Sequence, residues 1–67
     1  MFNAISVVIR IIDGRNVHES EYPFSTKQKA CKKTVELSQT INLSWGCKGT
    51  VQVFKNCNLI LELPIMN

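Results

Sequence analysis

The sequence predicts a small α+β domain of ββαββ order, in which a four-stranded antiparallel sheet carries one helix on one of its faces. Two observations predict this fold: apolar residues alternate near both ends of the chain, and they recur at helical spacing in the middle. The chain has 67 residues, so we expect a single domain over residues 1–67.

Residues 2–13 predict the first strand, because β-branched residues alternate with others along this segment. Its inward face would carry Ile5, Val7, Ile9 and Ile11. This strand is the longest and most apolar of the four, so we place it at the centre of the sheet.

The dipeptide Asp13-Gly14 favours a two-residue hairpin turn and predicts a polar second strand over residues 15–22, which Pro23 would end. The register expected from this turn pairs Ile9 with His18, Ile5 with Tyr22, Val8 with Glu19 and Ser6 with Glu21. The first two of these pairs would face the core, and the two glutamates would face away from it.

A helix is predicted to begin at Ser25, because Ser25-Thr26-Lys27-Gln28 matches a capping box, and to end at about Leu43. Its buried stripe would consist of Ala30, Thr34, Leu37 and Ile41. Gly46 is a plausible helix-terminating position, and we expect Trp45 to pack beneath the end of the helix.

Residues 50–55 and 59–63 predict the last two strands, with Asn56-Cys57-Asn58 as the loop between them and Pro64 as the stop. Their inward residues would be Val51, Val53, Leu59, Leu61 and Leu63. The chain direction then gives the sheet order 2-1-3-4, with every neighbouring pair antiparallel.

The sequence predicts no catalytic residues, no metal site and no cofactor. His18 is the only histidine, and Cys31, Cys47 and Cys57 include no close pair of the kind that zinc sites use. The odd number of thiols and the absence of a basic signal segment favour a cytoplasmic protein that does not enter a membrane.

The basic residues form the first candidate surface. Four of the eight fall within seven positions at the start of the helix: Lys27, Lys29, Lys32 and Lys33. With Arg10 and Arg15 they would make a basic patch for nucleic acid or for an acidic protein, whereas a solvated helix face is the other interpretation. We expect Glu36 to offset part of this charge by contacting Lys32.

The second candidate surface is the sheet face that the helix leaves bare. There we place the apolar residues Val8, Ile12, Phe54 and Ile60, together with Phe2 and with the polar residues Arg10, Glu19, Gln52 and Glu62. Strand four is also an apolar edge strand, able to pair with a second copy or with another chain. Scattered surface residues and a partner or homodimer site are both open interpretations.

The arrangement resembles that of small phage-encoded inhibitors of host machinery, the anti-CRISPR proteins among them. The resemblance rests on the hairpin at Asp13-Gly14, the lysine-containing helix, the strand start Gly49-Thr50-Val51 and a closing hairpin. It implies a non-enzymatic protein that binds a host protein or protein–nucleic-acid complex and inhibits or modulates it in the bacterial cytoplasm. A small DNA- or RNA-binding domain that uses the lysine-rich helix is the alternative.

Overall fold

A computed structural model describes residues 4–65 of the protein. The element order is β1 (Ile5–Asp13), β2 (Asn16–Phe24), α1 (Lys27–Thr40), β3 (Cys47–Lys55) and β4 (Asn58–Pro64). The strands form one sheet of order β2-β1-β3-β4, and every neighbouring pair is antiparallel. The predicted fold class and strand order are therefore confirmed. The predicted start of the first strand at Phe2 lies outside the described residues.

The β1–β2 turn differs from the prediction by one position, because its two central residues are Gly14 and Arg15. Gly14 has a φ of 60° and Arg15 has a negative φ, which is the pattern of a type II′ turn. Residue Asp13 thus pairs with Asn16, and the register moves by two residues, so that Ile5 lies opposite Phe24 and Ile9 opposite Ser20. A shift of two keeps every side chain on its predicted face.

β2 continues through Pro23 to Phe24 instead of ending at residue 22. Hydrogen-bonded and non-hydrogen-bonded pairs alternate from the turn, so the pair of Pro23 with Ser6 is a non-hydrogen-bonded one. The nitrogen of Pro23 points to the open edge of the sheet, where no ladder bond is lost.

The helix begins one residue later and ends three residues earlier than predicted. Its N-cap is Thr26, whose Oγ1 accepts a hydrogen bond from the Lys29 N–H at 3.2 Å, and the predicted cap at Ser25 is wrong because β2 runs on to Phe24. After Thr40 the chain is extended at Ile41, and both Ile41 and Leu43 pack against the core from this extended segment. Ile41 and Leu43 are two positions apart, and side chains two positions apart in an extended segment point to the same side.

Small residues form the helix face that contacts the sheet. Ala30, Thr34 and Ser38 are buried, while Leu37 and Ile41 are partly buried beside them. The Thr34 hydroxyl donates to the Ala30 carbonyl and the Ser38 hydroxyl to the Val35 carbonyl, both at 2.8 Å, so neither buried hydroxyl lacks a partner. Beneath them lie the fully buried Val7, Val51 and Val53. Each of these valines contributes about 1.5–3 kcal/mol by its burial.

β4 contains a β-bulge that was not predicted from the sequence. Val53 pairs with Leu61 but Phe54 pairs with Leu59, so Ile60 is the extra residue on β4. Leu61 and Leu63 face the core as predicted, opposite Val53 and Val51. Leu59 was predicted to face inward, but the bulge turns it to the side of Phe54, where it is 49% exposed.

Candidate partner-binding surfaces

The helix covers one face of the sheet, and no other element of the described chain packs on the opposite face, here called the outer face. Four rows of side chains lie on it, of which three run from β2 to β4 and the fourth from β2 to β3, as the strand registers require. The rows are Pro23–Ser6–Phe54–Leu59, Glu21–Val8–Gln52–Glu62, Glu19–Arg10–Thr50–Pro64 and Val17–Ile12–Lys48. The predicted membership of this face is therefore correct for Val8, Ile12 and Phe54.

A cavity of about 550 Å³ opens on the outer face beside β1 and β2. Its lining combines apolar and polar side chains, among them Val8, Pro23, Phe54, Gln52, Glu19 and Glu21. Val8 is only 7% exposed although it lies on an uncovered face, so it forms the floor of the cavity and not a protruding contact. We refer to this feature as the outer-face cavity.

Of the other apolar residues predicted for this surface that the structure describes, only Phe54 lines the outer-face cavity. Phe54 is half-buried and lines it, whereas Ile12 lies at the far end of the outer face, next to Lys48 and Val17. Ile60, the bulge residue, is 38% exposed at the β4 edge. Leu59 joins this surface through the bulge, and no residue pattern in the sequence marks that position.

Acidic residues gather on the outer face. Of the five carboxylate residues in the chain, Glu19, Glu21 and Glu62 have side chains there. Gln52 donates a hydrogen bond to Glu62, while Glu19 and Glu21 make no ion pair. Arg10 lies directly opposite Glu19, yet the single salt bridge within residues 4–65 joins Lys33 to Glu36.

The six residues of the predicted basic patch do not form one surface. The four lysines lie on α1, but Arg10 lies on the opposite side of the sheet, among the carboxylates. Arg15 lies in the β1–β2 turn, at the end of β1 away from the helix N-terminus. β1 has nine residues, which separates these two ends by about 26 Å.

Three lysines at the start of α1 remain without an acidic partner. Lys27, Lys29 and Lys32 are exposed and make no ion pair with any residue from 4 to 65, whereas Lys33 is half-buried and binds Glu36 at 3.2 Å. The predicted contact of Glu36 with Lys32 is thus replaced by the contact with Lys33. Because the N-terminus of a helix is partially positive, Lys27 and Lys29 in the first turn each cost about 0.3–1 kcal/mol relative to an acidic residue.

Both edges of the sheet limit the addition of another strand. On β4, the Ile65 N–H donates to the Gly49 carbonyl, so the alternation directs the backbone groups of Leu61 and Leu63 to β3. Between the bulge at Ile60 and Pro64, only the backbone N–H of Glu62 points to the open side of β4. On β2, Glu19, Glu21 and Pro23 are among the residues whose backbone groups point to the open edge of the sheet. Bulges, charges and prolines at such places hinder strand pairing.

Trp45 is fully exposed, so its predicted position beneath the helix end is wrong. It lies in a turn closed by a hydrogen bond from the Cys47 N–H to the Ser44 carbonyl at 3.0 Å. Gly46 follows it with a φ of 86°, which identifies a type II turn. The helix had already ended at Thr40, so Ile41 and Leu43 fill the space predicted for the indole ring.

Residues 4–65 contain one histidine, three cysteines and five carboxylate residues as potentially reactive side chains. There, no three His, Cys, Asp or Glu residues cluster in a way that would hold a metal ion. Desolvation of the partly buried Cys47 thiol raises its pKa, and the neighbouring Asp13 carboxylate raises it further. A raised pKa disfavours the thiolate that a nucleophilic cysteine requires. His18 lies exposed on β2 opposite Ile11.

Comparison with known proteins gives no match: no protein-family model, no curated protein and no solved structure is similar to this chain. In the described part of the chain, α1 falls short of the length and apolar character that a membrane-crossing helix needs. The outer face and the N-terminal half of α1 are therefore judged on their own geometry and charge.

Proposed function

We propose that this protein is a non-enzymatic binding module that uses its outer face to bind a protein, and that it inhibits or modulates the host macromolecule it covers. One observation carries the proposal: an uncovered sheet face bears a cavity of about 550 Å³ lined by both apolar and charged side chains. Such a mixture of an apolar floor with polar margins is typical of protein-binding surfaces.

The rest of the fold is consistent with this proposal. Strand addition is hindered at β2 and β4, so a partner would contact side chains of the outer face and not the sheet edges. The same reasoning favours side-chain contacts if the partner is a second copy of the chain. Three free cysteines, one of them the exposed Cys57, favour a reducing compartment such as the cytoplasm of a host cell.

Affinity capture with the full chain tests this proposal. The variants are Leu59→Ser and Phe54→Ser on the outer face, with Val35→Ser on α1 as the control. Val35 is 45% exposed and Leu59 is 49% exposed, so their substitutions remove similar apolar surface from opposite sides of the molecule. Truncating a central contact of an interface costs about 2 kcal/mol or more, so capture should fall at least about tenfold for the outer-face variants.

The control should retain the partner at the wild-type level. Equal retention by all three variants would exclude the outer face as the binding surface. Light scattering on the same samples measures the mass in solution, and a doubled mass that Leu59→Ser restores to the monomer would identify the partner as a second copy.

A second candidate function, nucleic-acid binding, has a separate observation in its favour. Lys27, Lys29 and Lys32 are exposed, lack acidic partners and lie at the positive end of the helix. The outer face does not suit phosphate, because Glu19 and Glu21 flank Phe54 in the outer-face cavity. An interface with nucleic acid would therefore be limited to α1 and would involve about three phosphates.

Fluorescence anisotropy with labelled single-stranded DNA and RNA tests this candidate. Three phosphate contacts with a single strand predict a slope of about −2 in log affinity against log salt concentration. Lys29→Glu with Lys32→Glu should abolish binding, and Lys48→Glu serves as a charge-reversal control on the outer face. Absence of binding to either nucleic acid at low salt would exclude this function.

A further inference from the structure

We propose that the outer-face cavity receives an arginine side chain from a basic segment of the protein partner. This inference rests on the proposed function, because it names the chemistry of the partner that the outer face binds. It is argued from the charge of the face, from the lining of the cavity and from the absence of an ion pair at Glu19 and Glu21 within residues 4–65.

The first step is the separation of charge across the molecule. The helix side carries four lysines against Glu36, whereas the outer face carries three carboxylates against Arg10 and Lys48. These five side-chain charges sum to −1, so a protein whose net charge is +3 is weakly acidic on the side of its uncovered sheet. Opposite charges across an interface steer association and select the partner, so the outer face favours a basic segment.

The second step is the arrangement inside the cavity. Glu21 lies beside Val8, which is the floor, and the next side chain in that row is Gln52, which already donates to Glu62. Among the described residues, no cation therefore lies directly opposite Glu21. Two free carboxylates, Glu19 and Glu21, line the cavity together with the apolar surface of Pro23 and Phe54.

The third step matches this lining to a side chain. Arginine and lysine both place a hydrocarbon stem against apolar surface while the charged end reaches a carboxylate. Arginine fits better, because its planar guanidinium bonds a carboxylate through two N–H groups and also stacks on an aromatic ring. Phe54 and Glu21 offer both partners in the same cavity.

Selection of peptides from a random heptapeptide display library against the full chain tests the inference. Three forms of the protein are compared: wild type, Glu19→Gln with Glu21→Gln, and Glu36→Gln as the control that removes the one carboxylate of the helix. These substitutions preserve side-chain size at exposed positions, so all three forms should fold. Wild type and control should enrich arginine next to an apolar residue, and the double variant should lose this preference.

The affinity of the best selected peptide gives the quantitative measurement. The double variant should bind it about tenfold more weakly, and replacing its arginine by lysine should weaken binding to wild type severalfold. Amide chemical shifts should move at Val8, Glu21 and Phe54, with none at Lys29. Failure to enrich any peptide, enrichment of acidic peptides, or equal affinity of the double variant would each overturn the inference.

These outcomes separate the inference from the function on which it rests. If capture of the native partner depends on Leu59 and Phe54 but not on the two glutamates, the outer face binds protein and the arginine assignment is wrong. If capture is unaffected by Leu59→Ser and Phe54→Ser, the proposed function itself fails.

Discussion

Replacing Cys57 by glycine should stabilise the protein, because the β3–β4 turn forces this residue into a left-handed conformation. Asn56 and Cys57 have φ values of 52° and 67°, which makes the turn type I′. Asn56 tolerates this conformation, and it also bonds the start of the chain: its N–H donates to the Ala4 carbonyl at 2.8 Å, and its Oδ1 accepts from the Ala4 N–H at 3.1 Å. Cys57 has no such compensation.

The size of the effect follows from two opposing terms. A left-handed conformation costs a residue with a Cβ about 1–2 kcal/mol, and glycine loses about 0.5–1 kcal/mol more backbone freedom on folding. Cys57 is exposed, so little burial is lost with its thiol. The net gain for Cys57→Gly is therefore about 0.5–1 kcal/mol. With a urea dependence of about 1 kcal/mol per molar, the unfolding midpoint should rise by about 0.5–1 M.

The control is Cys57→Ala, which also removes the thiol but keeps the Cβ and hence the strain. Urea unfolding is followed by circular dichroism, since the fully exposed Trp45 is a poor fluorescence reporter of folding. A midpoint for Cys57→Gly no higher than that of Cys57→Ala would show that strain at this position does not limit stability.

Three further predictions concern other parts of the fold. Gly49→Ala should destabilise by about 1–2 kcal/mol, because a Cβ there would lie 2.6 Å from Ile65 Cδ1 and 3.3 Å from the Arg10 carbonyl oxygen. Adding Ile65→Val should restore part of the loss in urea unfolding, and strictly additive effects would contradict this reasoning. Lys29→Glu should stabilise the protein by about 0.5–1 kcal/mol and raise the thermal midpoint by a few degrees. The glutamate completes a capping box with Thr26 and interacts favourably with the helix dipole, so a lower midpoint would refute this reasoning. At mildly alkaline pH, iodoacetamide should modify Cys57 before Cys47, because the raised pKa of Cys47 keeps its thiol protonated. Peptide mapping should show faster modification of Cys47 in Asp13→Asn. An unchanged rate at Cys47 in that variant would exclude Asp13 as a cause.

The faces of the sheet could be predicted from the sequence because side-chain direction depends only on whether a position is odd or even along a regular strand. Glu19 and Glu21 point outward in the predicted register and in the observed one, since the two differ by two residues. The strand order was also predictable, because only the first strand is apolar enough on both faces to lie in the centre. Val8 illustrates this: it is buried even on the outer face.

The remaining differences arise where two local signals compete or where a signal is absent. Ser25 and Thr26 are both good N-cap residues, and the length of β2, which tertiary pairing sets, decides between them. The bulge at Ile60 follows from the tight Asn56-Cys57 turn, which fixes the pair Lys55–Asn58, while Leu61 and Leu63 are held by the core. Ile60 is the extra residue that reconciles the register set by the turn with the register set by the core, and no residue type in the sequence marks its position.

Pro23 and Pro64 occupy equivalent places on the two outermost strands. Each pairs with its neighbour at a position whose nitrogen faces away from the sheet, so the fold itself loses no hydrogen bond. An incoming strand would lose one at either border, and the sheet thus has a fixed width of four strands. A fixed width lets natural selection vary the exposed side chains of the bare face, from Leu59 to Glu21, without opening a route to aggregation or disturbing the valine core. The fold is in this sense a stable frame on which a recognition surface can evolve independently.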